Sequence, residues 1–162
     1  MALFSTLRKR NDTADIGRYM RRIRDLTIPN YGNHVSQDRR EDRHNRAIPM
    51  LMCPWQDGKP VESESLIVVT KDVCNLGIGL LLCQPVHSKY VVVGLHPDTN
   101  DPSQPWFFLG QTCHLTALGG GFWTMGLELT EFANAEFARE IEMLRPLMAK
   151  LRPRSAAALT TV

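Results

Sequence analysis

A chain of 162 residues has room for one ordinary domain with extensions, not for two full domains. Its composition, 43% hydrophobic and 22% charged with 11 Gly and 10 Pro, is globular and excludes collagen, coiled-coil rods and long low-complexity tails. The formal charge of +2 conceals an asymmetry: residues 1–46 hold 11 basic and 6 acidic side chains, residues 47–132 hold 3 and 8, and residues 133–162 hold 5 and 3. A basic arm therefore precedes an acidic body. Ten of the arm's cations are Arg, which forms bidentate hydrogen bonds and stacks on planar rings, so the arm suits phosphates or nucleobases; a solvated charged tail is the competing role. No apolar run approaches the roughly 18 residues of a membrane span, and residues 1–7 are too short for a signal-peptide core. The expectation is a soluble, cytoplasmic protein without membrane insertion.

In chain order, Asn11 or Asp12 caps an amphipathic helix in which Ile16, Met20 and Ile23 recur at helical spacing until Pro29 stops it. Its polar side carries Arg18, Arg21, Arg22 and Arg24, and its apolar side is expected to dock on the rest of the chain or on a partner. Residues 29–46 show no period and read as a polar loop. From Ile48 the pattern changes to β. Ile48, Met50 and Met52 alternate, residues 56–60 turn, and apolar runs follow at 66–70, 78–83 and 90–95. After a loop over 96–105 the β pattern resumes at 106–109 and at Cys113, Leu115 and Ala117. Gly119, Gly120 and Gly121 make a turn, and Trp123, Met125, Leu127 and Leu129 alternate strictly. About six short strands predict a mainly β chain built on a small closed antiparallel barrel. Over 134–151, Phe137, Ile141, Leu144, Met148 and Leu151 form one apolar helix face, with a kink expected at Pro146. That face predicts a helix closing one end of the barrel; the same stripe is also the pattern of a homodimer seam. The tail beyond Arg154 reads as frayed.

The four cysteines, Cys53, Cys74, Cys83 and Cys113, have no paired C-x-x-C spacing and read as buried reduced thiols. A zinc site drawn from Cys113, His114, His87 or His96 is disfavoured, because neighbours on a strand point to opposite faces. No metal and no cofactor are expected. Neither is an enzyme, since no Ser/His/Asp grouping or phosphate loop appears: Gly77-x-Gly79 enters a strand, and the Gly119–Gly121 run lacks a following Lys-Ser/Thr.

Two local patterns stand in order. Arg39-Arg40-Glu41-Asp42-Arg43 contains R-x-x-x-R just before the first strand, and Asp72-Val73-Cys74-Asn75-Leu76-Gly77-Ile78-Gly79-Leu80 lies at the end of the second strand run. This arrangement resembles the PilZ domain family, whose pattern is an R-x-x-x-R arm, a strand pair, then D/N-x-S-x-x-G leading into Gly-apolar-Gly-apolar. Met125-Gly126-Leu127-Glu128-Leu129 also fits the family's final barrel strand. The resemblance covers roughly residues 39–132, leaving residues 1–38 as N-terminal helix and linker and residues 133–162 as C-terminal helix and tail. It implies a six-stranded PilZ-like barrel that binds cyclic di-GMP and passes the signal to a protein effector not identified by the sequence. Arg39 and Arg43 would clamp phosphate oxygens or a guanine Hoogsteen edge, with Arg40 and Arg46 as helpers. Asp72 would accept hydrogen bonds from guanine N1–H and the exocyclic amine, and Gly77 would let the backbone turn closely. Cys74 stands where Ser is usual, replacing a good donor by a weak one, a difference of about 1 kcal/mol. An alternative register gives Arg46 the second arginine's role, with Asp42 as its partner four residues earlier. The same residues also fit a PilZ-like interaction module that has lost the nucleotide. A nucleic-acid-binding barrel using Trp55 and Trp106 is the third reading; against it, the acidic body offers no cationic groove. In the receptor reading the loop 39–46 orders over the ligand and repositions the N-terminal helix.

Overall fold

The computed structural model describes residues 16–18, 47–97 and 104–151. Arg39, Arg40, Arg43 and Arg46, most of the expected N-terminal helix and the tail beyond Leu151 lie outside the described residues. Seven strands follow in order: β1 (Pro49–Gln56), β2 (Lys59–Pro60), β3 (Leu66–Val73), β4 (Gly77–Leu82), β5 (Tyr90–Leu95), β6 (Trp106–Gly119) and β7 (Phe122–Phe132). The sheet order is β2-β1-β3-β4-β7-β6-β5, and β1 also pairs with β5, so six strands close into an antiparallel barrel with the two-residue β2 appended to β1.

Turn chemistry fixes the hairpins. Asp57 (φ 51°) and Gly58 (φ 77°) both occupy the left-handed region, the geometry of a two-residue hairpin turn whose twist matches its strands. Gly119, Gly120 and Gly121 likewise have positive φ at the β6–β7 turn. The sequence splits β6 into two apolar runs; the structure joins them into one 14-residue strand. Irregularities between Leu109 and Gly110, between Thr112 and His114, and between Ala117 and Gly119 break its alternation and hide its continuity. The bulge at Cys113 leaves both Cys113 and His114 exposed, against the expectation that neighbours on a strand face oppositely.

Two apolar clusters hold the fold. The inner one fills the barrel with Met50, Met52, Val68, Ile78, Leu80, Val91, Val93, Phe108, Met125 and Leu127 among others, and Ile16 from the N-terminal helical turn is fully buried in it. The outer one lies on the far side of β1, β5 and β6, where Leu51, Cys53, Trp55, Val92, Phe107 and Leu109 meet Ile141, Leu144 and Met148. The C-terminal segment thus covers the wall of the barrel rather than closing its end. It is also not one helix: a helix at Ala133–Glu136 is followed by a 3-10 turn (Glu142–Leu144), a helix at Arg145–Met148 and a second 3-10 turn (Ala149–Leu151). Pro146, which has no N–H and clashes with a preceding turn, sits in the first turn of a new helix instead of kinking a long one. The expected stripe survives this fragmentation, since Ile141, Leu144 and Met148 are buried against the chain's own strands, with Phe137 and Leu151 partly buried beside them. Asn134 anchors the segment: Phe107 N–H donates to its Oδ1 at 2.6 Å, and its Nδ2 donates to the Pro105 carbonyl at 2.9 Å. Trp55 is buried here, edge-on to Phe137 at 5.0 Å, so it is not the surface aromatic that the nucleic-acid reading requires.

Burial also sets cysteine chemistry. Cys53 is fully buried and its S–H donates to the Val61 carbonyl at 3.0 Å. Desolvation, with the nearby charges of Glu62 and Glu64, pushes its pKa from 9.0 up to about 12. Cys83 and Cys113 are exposed, contrary to the expectation of four buried thiols.

Leu144→Ala lowers unfolding free energy by about 2–5 kcal/mol in urea titration, whereas Met143→Ala, at an exposed position, stays within about 0.5 kcal/mol. In the folded protein at pH 8, iodoacetamide labels Cys83 and Cys113 but not Cys53, read by peptide mass spectrometry. Because the folded pKa of Cys53 is raised, its contribution to stability is full below pH 9 and is lost as pH rises towards 12.

Candidate functional site

The chain enters the barrel at Ile48, and two hydrogen bonds pin that entry to β3. Ile48 N–H donates to Thr70 Oγ1 at 2.8 Å and Thr70 N–H donates to the Ile48 carbonyl at 3.0 Å. The entry of the chain into the barrel is therefore fastened to β3 two residues before Asp72.

Between Thr70 and Asp72 the β3–β4 ladder slips: Thr70 faces Leu80, yet Asp72 faces Gly79. Side chains alternate strictly along a regular strand, so Asp72 would otherwise point inward with Thr70. The extra residue, exposed Lys71, turns Asp72 to the outer face while Val73 returns to the core. Asp72 nonetheless remains 8% exposed, because its carboxylate lies flat over Gly79. A Cβ at Gly79 would come within 2.7 Å of Asp72 Oδ1. Gly79 is thus required for space, not for unusual backbone angles.

The link from β3 to β4 is equally tight. Cys74 N–H donates to the Gly77 carbonyl at 2.9 Å, and Leu129 N–H donates to the Leu76 carbonyl at 2.7 Å. A Cβ at Gly77 would stand 2.9 Å from the Leu127 carbonyl oxygen and 3.3 Å from Cys74 Sγ. Gly77 lets β4 approach β7 closely, with the half-buried Cys74 thiol beside it. The helical turn Ile16–Arg18 lies near the same link, since a Cβ added at Gly17 would fall 4.0 Å from the Asn75 carbonyl oxygen.

One cross-strand row on the outer face extends from Asp72. Asp72 pairs with Gly79, Gly79 with Gly126, and Gly126 with His114. The His114 ring covers Gly126 so closely that any Cβ there would overlap it. In the next row Gly77 pairs with exposed Glu128. Towards the β6–β7 turn the same face carries exposed Val69, Leu81, Leu118 and Phe122. Among the described residues no group of three or more His, Cys, Asp or Glu side chains is placed to hold a metal ion, and no helix is long and apolar enough to cross a membrane.

Of the residues singled out by sequence, Asp72, Cys74 and Gly77 are brought together at one strand-to-strand turn; Arg39, Arg40, Arg43 and Arg46 lie outside the described residues. Gly79, Gly126 and His114 were not singled out as site residues. The Gly-apolar-Gly spacing signals the first, but only strand register reveals that Gly79 and Gly126 are partners.

No protein-family model matches the chain, and no curated protein matches it. Its structure is similar to that of the Bacillus subtilis inhibitor of motility MotI/DgrA, at 12% identity over 73% of this chain and 55% of that one, with a TM-score of 0.44. The chain therefore spans about half the length of that protein. It is also similar to the PilZ domain of YcgR from Escherichia coli, solved with c-di-GMP, at 15% identity over 71% of this chain and 92% of that one, with a TM-score of 0.38. The architecture in hand is a closed six-stranded antiparallel barrel with a short C-terminal helical segment, the mainly β barrel that the sequence predicts.

Proposed function

We propose that this protein is a cyclic di-GMP receptor that binds the nucleotide on the outer face of the barrel around Asp72 and relays binding by ordering the arm of residues 39–46. The observation that carries the reading is the position of Asp72, rotated outward by a bulge and laid over a glycine beside the entry of the arm. Asp72 offers two acceptor oxygens, suited to guanine N1–H and its 2-amino group. The dinucleotide is a dianion; the described surroundings carry Asp72 and Glu128 together with exposed Lys71, and the Arg-rich segment that directly precedes Ile48 is the richest source of further cations. From Ile48 to Arg43 is five residues of chain, a reach of up to about 18 Å. Arg39 and Arg43 then clamp phosphate or guanine, with Arg40 and Arg46 assisting. Cys74 and Gly77 complete the turn. The protein acts as a binding module in the cytoplasm, handing the signal to a protein partner.

Cys74 favours a second reading in which the barrel has lost the nucleotide and only binds a protein, because a thiol replaces a hydroxyl donor at the turn. Calorimetric titration with cyclic di-GMP, with GTP as control, separates the two. The receptor reading expects micromolar or tighter binding selective over GTP; the absence of heat and of any amide protection favours the interaction module.

Three variants sharpen the test. Arg43→Ala weakens binding at least about tenfold, the loss of a charge-assisted hydrogen bond. Gly79→Ala displaces the Asp72 carboxylate and weakens binding by about tenfold or more while the fold is retained. Cys74→Ser tightens it about fivefold by restoring a donor. Hydrogen exchange over residues 29–46 slows at saturating ligand; unchanged exchange there would remove the ordering mechanism.

A further inference from the structure

We infer that the far half of β6 is a dimerisation edge, along which two copies of this chain pair antiparallel, β6 against β6, about a two-fold axis at Thr116. The inference stands apart from the nucleotide reading and needs no ligand.

Closure of the barrel covers only the first half of β6. β5 begins at Tyr90, opposite Gln111, whereas β6 runs on to Gly119. Thr112 N–H still donates to the Lys89 carbonyl at 2.9 Å, and beyond it β6 is paired with β7 alone. Backbone groups alternate in direction along a strand, so one bond sets the direction of the rest. Leu129 N–H donates to the Leu76 carbonyl, and by that alternation Leu127, Met125 and Trp123 also turn towards β4 while Gly126 and Thr124 turn towards β6. Their partners His114 and Thr116 are thereby bonded to β7. Leu115 and Ala117 instead direct N–H and C=O away from the sheet, where no strand or loop among the described residues meets them.

Edges of this kind are usually guarded by charge, proline or bulges, because they template pairing with another chain. From Leu115 to Leu127 there is no charged residue and no proline. Irregularities lie on either side, between Thr112 and His114 and between Ala117 and Gly119, yet His114 to Ala117 pairs with β7 without a break. The bulges shorten the open window and do not close it.

The window complements itself. With Thr116 on the axis, Leu115 of one copy lies opposite Ala117 of the other, and the outward groups exchange four hydrogen bonds. Only this register pairs both residues at once. Thr116 then meets its own symmetry mate, a favourable cross-strand pair, and His114 lies opposite Leu118, so no like charges face each other. A second copy is the occupant that this edge favours, since it brings an uncharged strand to an uncharged strand and every molecule carries one. Leu118, 56% exposed, gains an apolar and aromatic neighbourhood by the same pairing, and half-buried Leu115 gains cover from the mate's Ala117. A two-fold pairing uses both edges and stops at two chains. So short a strand pair buries less than the roughly 800 Å² per partner of a standard interface, which makes the dimer weak and dependent on concentration.

The test is sedimentation equilibrium of the full chain without nucleotide from about 5 to about 500 µM, the range in which a small interface associates. Wild type is expected to move from one chain towards two. Thr116 is exposed, and Thr116→Lys sets two ammonium groups face to face on the axis, raising the dissociation constant about tenfold or more. An equimolar mixture of Thr116→Lys and Thr116→Glu is expected to regain the dimer, a recovery that misfolding cannot produce. Amide exchange of wild type gives a readout without substitution: Leu115 and Ala117 slow as concentration rises, while His114 and Thr116, already bonded to β7, keep their rates. If wild type remains a single chain throughout, the inference is overturned. It is equally overturned if wild type dimerises, Thr116→Lys dimerises as well and the Leu115 and Ala117 amides do not slow, because another surface then holds the dimer.

Discussion

The pairing of β1 with β5 is the constraint on which the rest of the molecule depends. Leu51 to Trp55 run against Gly94 to Tyr90, while the opposite edge of β1 runs against β3, so β1 has neighbours on both sides. Without that closure the main sheet would end in two long edges open to other chains. With it, alternate side chains are committed: Met50 and Met52 enter the barrel, and Leu51, Cys53 and Trp55 emerge on its outside. Three apolar residues on an outer wall need cover, and the C-terminal segment supplies it. That segment does not need to be a long helix. It needs only to place Ile141, Leu144 and Met148 on one surface, which short turns accomplish once Asn134 fixes its start.

The covered wall and the open wall have different work. On β1, β5 and the first part of β6 the outer face is large, apolar and buried; across β3, β4, β7 and the later part of β6 it has two paired glycines, a carboxylate and an imidazole. Glycines in strand interiors weaken a sheet, because they pack nothing and lose more backbone entropy on folding. Their presence as cross-strand partners, each overlain by a polar side chain, trades sheet stability for the close seating of Asp72 and His114 on the outer face. The bulge at Lys71 belongs to the same trade. It interrupts the ladder and redirects one side chain, Asp72, from core to surface.

Much of the barrel was legible because one-sided burial writes itself as alternation. The strict pattern from Trp123 to Leu129 and the apolar run at 90–95 coincide with β7 and β5, and the Asp57-Gly58 turn follows from the left-handed preference of its residues. Reading failed where register decides. Bulges in β6 erased its period, and no local pattern says that Gly126 faces Gly79 or that His114 lies over Gly126. The stripe over 134–151 identified the buried residues but not their conformation, since a helical spacing of contacts survives a chain broken into short turns around Pro146. Trp55 looked like a surface aromatic because sequence alone cannot reveal that a β strand is covered on both sides. Asp72, Cys74 and Gly77 were legible as a group because a strand-to-strand turn is local in sequence.

The link that carries Cys74, Asn75 and Leu76 is also where a binding event on the surface meets the interior. On one side it is tied to β7 through the Leu76 carbonyl and to Gly77 through the Cys74 amide. On the other it lies near the turn Ile16–Arg18, whose Ile16 is sunk in the barrel core. A ligand held by Asp72 and the arm would pull on β3 and this link together, and a close-packed core does not absorb small displacements continuously. Ile16 must either keep its place or leave it, and leaving exposes an apolar side chain that burial stabilises by about 1.5–3 kcal/mol. That is the range of free energy over which a nucleotide can bias two states by an order of magnitude or more. Under the receptor reading, the nearness of the N-terminal turn to the motif link therefore supplies a physical route from an outer-face ligand to Ile16 in the barrel core.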